Sequence, residues 1–352
     1  MQLTYILGNG FDLAIKLKTG YKHFYEWYEE KPDETEEISL LKKTIREQID
    51  KGNDKWADFE YALGQFTALV ADKEKYIACF KCARESLIEY LKKAYSEGKE
   101  KNKDFLLSAT YKIVDRSQNS DEDLSEEDKT NFETPKNVDT VFNCISFNYT
   151  PVFDEGKKDL LSNARGFSNS YNRPSRYEIG EVLNVHGTLN DYPILGVDNK
   201  MQIANKDFRE DMEIVEMMVK GEVDKKLGRN WRNSALEIIR KSDKIYIYGT
   251  SLGETDEFWW KIIAEWFESD TDNHQLAIYC HPEDDEMKME RKKELFKSNI
   301  SKYFRNKNYD SNIVIDNVEK VMTIKFAHAS AKKEIRMSVH AELNVIPAKD
   351  LK

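Results

Sequence analysis

The sequence predicts an α/β fold: a mostly parallel sheet with helices on both faces and a large inserted α-helical lobe. Three observations carry this. Short apolar, β-prone runs recur along the chain. Helical periodicity fills the stretches between them. Small, polar or ionisable residues follow one strand after another.

Residues 3–7 (LTYIL) are the first strand. Gly8-Asn9-Gly10 follows, and glycine at 8 and 10 permits a sharp turn and a close backbone approach that a Cβ would block. Residues 11–17 read as a helix. A strand, a glycine turn and a helix offer N–H groups to a phosphate. The third glycine of G-x-G-x-x-G is replaced by Leu13, so a plain strand-to-helix turn fits the same residues. Tyr21, Phe24, Tyr25, Trp27 and Tyr28 recur at near-helical spacing, a pattern commoner in cores than in ligand sites.

Residues 35–115 read as helix throughout. Ile38, Leu41, Ile45 and Ile49 set the period; Trp56, Phe59, Leu63 and Phe66 continue it, then Phe80, Leu87, Ile88 and Leu91. Residues 116–137 are acidic and polar and read as a flexible loop. Strands are expected at 140–147, 182–185, 244–248 and 276–280, with shorter ones at 194–197, 313–315 and 321–326. Helices are expected over 205–240, 255–267 and 283–297, with Thr255 capping the second of these. The expected organisation is a nucleotide-binding core of 1–30 and 138–352, an inserted helical lobe of 31–115, and an acidic loop of 116–137.

Bulk properties narrow the function. Lys plus Arg total 54 against 64 Asp plus Glu, a formal charge of −10, which argues against binding nucleic acid by phosphate neutralisation. Four cysteines are too few for a disulfide framework. Cys79 and Cys82 form C-x-x-C in a helical run with no second pair, so no metal is expected. No signal peptide or membrane-spanning run is read, and the expected location is cytoplasmic.

In a parallel sheet the carboxyl ends of the strands share one edge. Here they carry Gly8-Asn9-Gly10, Asn148-Tyr149-Thr150, His186-Gly187-Thr188, Gly249-Thr250-Ser251-Leu252 and His281-Pro282. Gly8, Asn9, Gly10, Gly249, Thr250 and Ser251 suit phosphate or ribose oxygens. Asn148 can orient a ribose hydroxyl or a water, and His186 can accept a proton near neutral pH. Asp12 can contact a ligand hydroxyl or cap its own helix. Asp58 and Glu60, two apart on an expected helix, do not share a face and form no obvious acid–base pair.

Gly8-Asn9-Gly10-Phe11-Asp12-Leu13-Ala14 with Leu17-Lys18-Thr19 and Tyr21 resembles the N-terminal signature of the AbiH family of bacteriophage abortive-infection proteins. Residues 56–60, and Gly249-Thr250-Ser251-Leu252-Gly253 with Asp256, are similar to further family positions. The order of glycine turn, Asn148, His186-Gly187 and Gly249-Thr250-Ser251-Leu252 also resembles the Rossmann-like, sirtuin-like NAD-binding fold. That resemblance implies NAD as substrate or ligand. It places Gly8, Gly10, Thr250 and Ser251 at the pyrophosphate and ribose, and Asn148 and His186 at the nicotinamide ribose. The two C-x-x-C pairs and the Phe-Arg element of sirtuin deacylases are missing, which speaks against protein deacylation. The leading expectation is a phage-defence protein that binds NAD or a related nucleotide and hydrolyses the nicotinamide–ribose bond. The alternative is a nucleotide-sensing or protein-binding module without turnover; a nuclease effector ranks third. Expected partners are the nucleotide, a phage-encoded trigger and a second copy of the chain, with neither membrane nor nucleic acid.

Overall fold

Every second residue of the first strand faces the same way, and both faces are apolar. The computed structural model describes residues 1–118, 138–163, 177–270, 273–280, 286–304 and 313–317. The expected strand at 321–326, residues 119–137 of the expected loop, and His281 lie outside them. Strands β1 (Gln2–Leu7), β2 (Thr140–Ser146), β3 (Tyr177–Asn184), β4 (Lys244–Tyr248), β5 (Gln275–Cys280) and β6 (Ile313–Asn317) form one sheet. Its order is β3-β2-β1-β4-β5-β6. All five pairings are parallel.

The helices are α1 (Gly10–Ala14), α2 (Tyr21–Glu30), α3 (Glu36–Asp50), α4 (Phe59–Phe66), α5 (Lys73–Gln118) and α6 (Val152–Asn163). They continue with α7 (Lys206–Glu210), α8 (Met212–Met218), α9 (Lys220–Lys226), α10 (Trp231–Lys241), α11 (Glu257–Ser269) and α12 (Glu286–Ser301). On one face of the sheet Leu3, Tyr5, Leu7, Phe142, Tyr246 and Tyr248 pack against Phe11 of α1 and Val152 and Phe153 of α6. On the other, Ile6, Ile145, Ile245 and Ile247 pack against Ile239 of α10, Trp260 and Ile263 of α11 and Ile300 of α12. Burial on both faces is why the strands read as continuous apolar runs rather than alternating ones.

A third apolar cluster builds the helical lobe. It joins Phe24, Leu41, Phe59, Phe80 and Leu91 with Leu189, Val197, Phe208, Ile214 and Met218, so it reaches beyond residues 31–115 on both sides in sequence. The aromatic stripe of α2 is part of this core: Phe24 stacks on Tyr28 at 4.9 Å and meets Phe59 edge-on at 5.0 Å.

Several local expectations are corrected. The first helix stops at Ala14 instead of 17, and Lys16 turns the chain with φ 66°. Residues 116–118 of the expected loop are the last turn of α5. Residues 194–197 make no sheet strand. They form a single bridge, Val197 to Val219, inside the lobe, where a Cβ on Gly196 would stand 1.9 Å from the Met218 carbonyl oxygen. Thr255 does not cap α11: its hydroxyl donates to Asp58 Oδ2 at 2.9 Å, and the helix itself begins at Glu257. No helix among the described residues is long and apolar enough to cross a membrane.

Candidate functional site

Because β1 lies between β2 and β4, the strand order reverses there and leaves a crevice at the carboxyl edge. A cavity of about 650 Å³ occupies it. Gly8, Asn9, Gly10, Asp12, Asn148, His186, Gly249, Thr250, Ser251 and Asp256 all line this one cavity. The lobe supplies the opposite wall with Tyr21, Asp58, Glu60, Leu87 and Leu91, and α12 adds Leu295 and Phe296.

The two glycine turns fit each other before they fit any ligand. Gly8 N donates to the Tyr248 carbonyl at 2.8 Å and Gly10 N to the Gly249 carbonyl at 2.7 Å. A Cβ on Gly10 would stand 2.5 Å from Gly249 Cα, and Gly249 itself has φ 72°. Glycine is therefore needed at these places to let two backbones touch. Thr250 and Ser251, next to this contact, line the cavity.

Asp12 neither caps α1 nor stands free. It is buried, and its carboxylate accepts from Asn148 Nδ2 at 3.1 Å and from Thr150 Oγ1 at 2.6 Å. Burial pushes its carboxyl up from 3.8 to about 7, with those two hydrogen bonds pulling the other way. The donation to Asp12 fixes the Asn148 amide, so its Oδ1 is the end left over. That oxygen is buried and has no partner among the described residues; the same holds for Thr250 Oγ1.

His186, directly after β3, is 5% exposed and lies against Phe147, with ring centroids 5.0 Å apart. The Phe147 carbonyl favours a proton on the ring. Nε2 lies 3.1 Å from Asp256 Oδ1, at ion-pair distance though without hydrogen-bond alignment. Burial and the ammonium of Lys220 hold the ring below the ordinary imidazole value, against the pull of Asp256. The ring thus takes up a proton less readily than a free imidazole, and the Asp256 carboxylate stands where it can hold an N–H on Nε2.

Behind His186 stands a buried ion network. Lys220 Nζ donates to Glu60 Oε2 at 2.8 Å, Asp256 Oδ1 at 2.7 Å and the Thr255 carbonyl at 2.9 Å. The Tyr149 hydroxyl donates to Glu60 Oε1 at 3.1 Å. Burial favours the neutral form of Asp256, but the Lys220 ammonium, with the His186 N–H position beside it, keeps the carboxyl well below its ordinary value. Burial raises Glu60 despite Lys220.

Sequence reasoning missed Lys220 entirely and set Asp58 and Glu60 aside on the assumption that both are helical. Asp58 is extended, with φ −81° and ψ 112°, and caps α4 by accepting from Glu60 N at 3.0 Å. Both carboxylates therefore reach the cavity. The signal that could have found them was the likeness of residues 56–60 to the same family as the glycine turn. Cys79 and Cys82 are not at the site: burial pushes their thiols up to about 12 and about 11, and no metal-ligating cluster occurs among the described residues.

Residues 4–276, well over half of the chain, match the family model described as bacteriophage abortive infection AbiH. No curated protein matches the sequence.

Proposed function

The chain belongs to the AbiH family of bacteriophage abortive-infection proteins, and from that premise we propose that it binds NAD or a related nucleotide in the strand-end cavity and hydrolyses the nicotinamide–ribose bond. The observation that carries this reading is the pair of buried, unpartnered side-chain oxygens Asn148 Oδ1 and Thr250 Oγ1 lining the cavity. An acceptor buried without a partner costs about 1–3 kcal/mol, so the pair favours a ligand that brings hydroxyl donors. A ribose with its neighbouring hydroxyls, together with the attacking water, meets that demand.

Other features support the same ligand. The strand order is the one used by Rossmann-like dinucleotide-binding sheets, with the cavity at its switch point. The volume lies within the range of small-molecule sites. Gly8 and Gly10 commit their N–H groups to the neighbouring turn, so phosphate oxygens fall to Thr250 and Ser251, which line the cavity. Leu13, Leu87, Leu91 and Phe296 offer an apolar wall to a base ring.

In the reaction Asn148 Oδ1 holds a ribose hydroxyl or the water. The ribose C1′–nitrogen bond breaks, and its electron pair stays on the nicotinamide ring nitrogen, which leaves neutral. Water oxygen bonds C1′ and gives its proton to His186 Nε2. Asp256 Oδ1, 3.1 Å from that nitrogen, stabilises the imidazolium by its charge. Asp12 positions Asn148 and does not touch substrate.

Nucleotide sensing without turnover is the second reading. It is favoured by the lobe's share of the wall, since Tyr21, Asp58 and Glu60 would register an occupied cavity. Incubation of the purified protein with NAD, with and without lysate of infected cells, separates the two. Nicotinamide release that disappears in a folded His186→Ala variant is expected. Release undiminished in that variant moves the base elsewhere. Binding with no release under any condition favours the sensor, and no binding at all overturns the nucleotide reading.

A further inference from the structure

We propose that Lys220 is the positioning residue of this site: held between Glu60 of the lobe and Asp256 beside the sheet, its ammonium keeps Asp256 Oδ1 turned toward His186. Lys220 follows Glu60 by 160 positions and precedes Asp256 by 36. Its side chain is 8% exposed, a depth at which a lysine is found only when paired. Three acceptors take its three ammonium protons, so it is a fixed point charge rather than a mobile one.

One oxygen makes the connection. Asp256 Oδ1 accepts from Lys220 at 2.7 Å and lies 3.1 Å from His186 Nε2. The cation that already holds that oxygen disfavours a second cation, the imidazolium, beside it. The other groups facing this corner pull the opposite way. They are Asp256 itself and the Phe147 carbonyl; Glu60 and Asp58 face Lys220 and Asp256. Tyr149 adds no charge; its hydroxyl is engaged by Glu60 and the Ile194 carbonyl. Without Lys220 the Asp256 carboxylate would face the ring unopposed, which favours a proton on His186.

The backbone fixes Lys220 as firmly as the side chain does. Lys220 N donates to the Val197 carbonyl at 2.9 Å, and Val197 N to the Met218 carbonyl at 2.8 Å. The adjoining Gly196 N donates to Glu60 Oε1 at 3.3 Å. The short bridge between 197 and 219 thus carries both partners of the Lys220–Glu60 pair, and the lobe reaches His186 through it.

The proposal needs the proposed function only for its consequence, because the protonation of His186 can be read without any nucleotide. In protein labelled at histidine, the His186 signal is identified as the one absent from His186→Gln and is titrated by NMR. In the wild type it is expected to titrate below a free imidazole, and Lys220→Met is expected to raise its midpoint by about one pH unit or more. Lys220→Arg, which restores a charge, is expected to bring the midpoint back toward wild type. Where Lys220→Met does not fold, Lys220→Gln, which keeps hydrogen-bond donors, carries the same comparison. A folded Lys220→Met or Lys220→Gln protein with an unchanged midpoint overturns the proposal, as does a wild-type midpoint at or above that of free imidazole. A midpoint that moves as expected in a protein that never binds NAD would sink the function reading and leave this one standing.

Discussion

Replacing Asp12 by asparagine changes stability differently in acid and in alkali. The carboxyl is wholly buried, and burial pushes it from 3.8 up to about 7 despite hydrogen bonds from Thr150 and Asn148. The folded-state value thus lies above the unfolded one. The stability linked to the protonated form is fully present below the unfolded value and is lost as pH rises through about 7. A carboxyl raised this far destabilises the folded state by about 4 kcal/mol once it is ionised. The substituted amide carries no charge but meets two donors with a single oxygen, and the lost hydrogen bond costs about 1 kcal/mol. The Asp12→Asn variant should therefore be near parity with wild type at about pH 4 and more stable by about 2–3 kcal/mol at about pH 8. Urea unfolding followed through the fluorescence of the six tryptophans measures both proteins at each pH. A stability difference that is the same at both ends refutes the assignment of a raised carboxyl to Asp12. Ligand affinity should move the other way: a donor now faces the Asn148–Thr150 pair, the Asn148 amide loses its fixed orientation, and NAD binding weakens.

Gly10→Ala places a Cβ 2.5 Å from Gly249 Cα, against backbone that cannot rotate away. It should destabilise by about 1–3 kcal/mol and weaken nucleotide binding, read by thermal unfolding with and without NAD. Asn148→Ala removes both the donor to Asp12 and the open acceptor. A further rise of the Asp12 value beyond about 7 is expected, together with loss of nicotinamide release, checked by carboxyl NMR titration and product assay.

Much of the frame was legible in the linear chain because it is local. β1, β2, β4 and β5 announce themselves as short apolar runs, and the helices between them by period. Parallel topology then brings every strand's carboxyl end to one edge. For that reason ten residues picked from four separated turns line a single cavity. The aromatic stripe of α2 was legible as core for the same reason, since its spacing states which face is buried. The errors were local too. Residues 194–197 have the composition of a strand but find their partner in the lobe at Val219, and Thr255 has the chemistry of a cap but gives its hydroxyl to Asp58.

What the sequence alone determined is therefore the sheet, the order of its functional edge and the residue types placed along it, because periodicity and strand ends are properties of neighbouring residues. Tertiary structure decided which of those groups are occupied and which are open. Gly8 and Gly10 turn their N–H groups to the facing turn, Asp12 holds Asn148 and Thr150 with its two oxygens, and Asn148 Oδ1 and Thr250 Oγ1 stay without a hydrogen-bond partner among the described residues. It also decided the partnership of Lys220 with Glu60, 160 positions away, and with Asp256. No local pattern encodes such pairing: burial makes an unpaired charge costly wherever it lies, and only the folded chain determines which opposite charge is near enough to hold it.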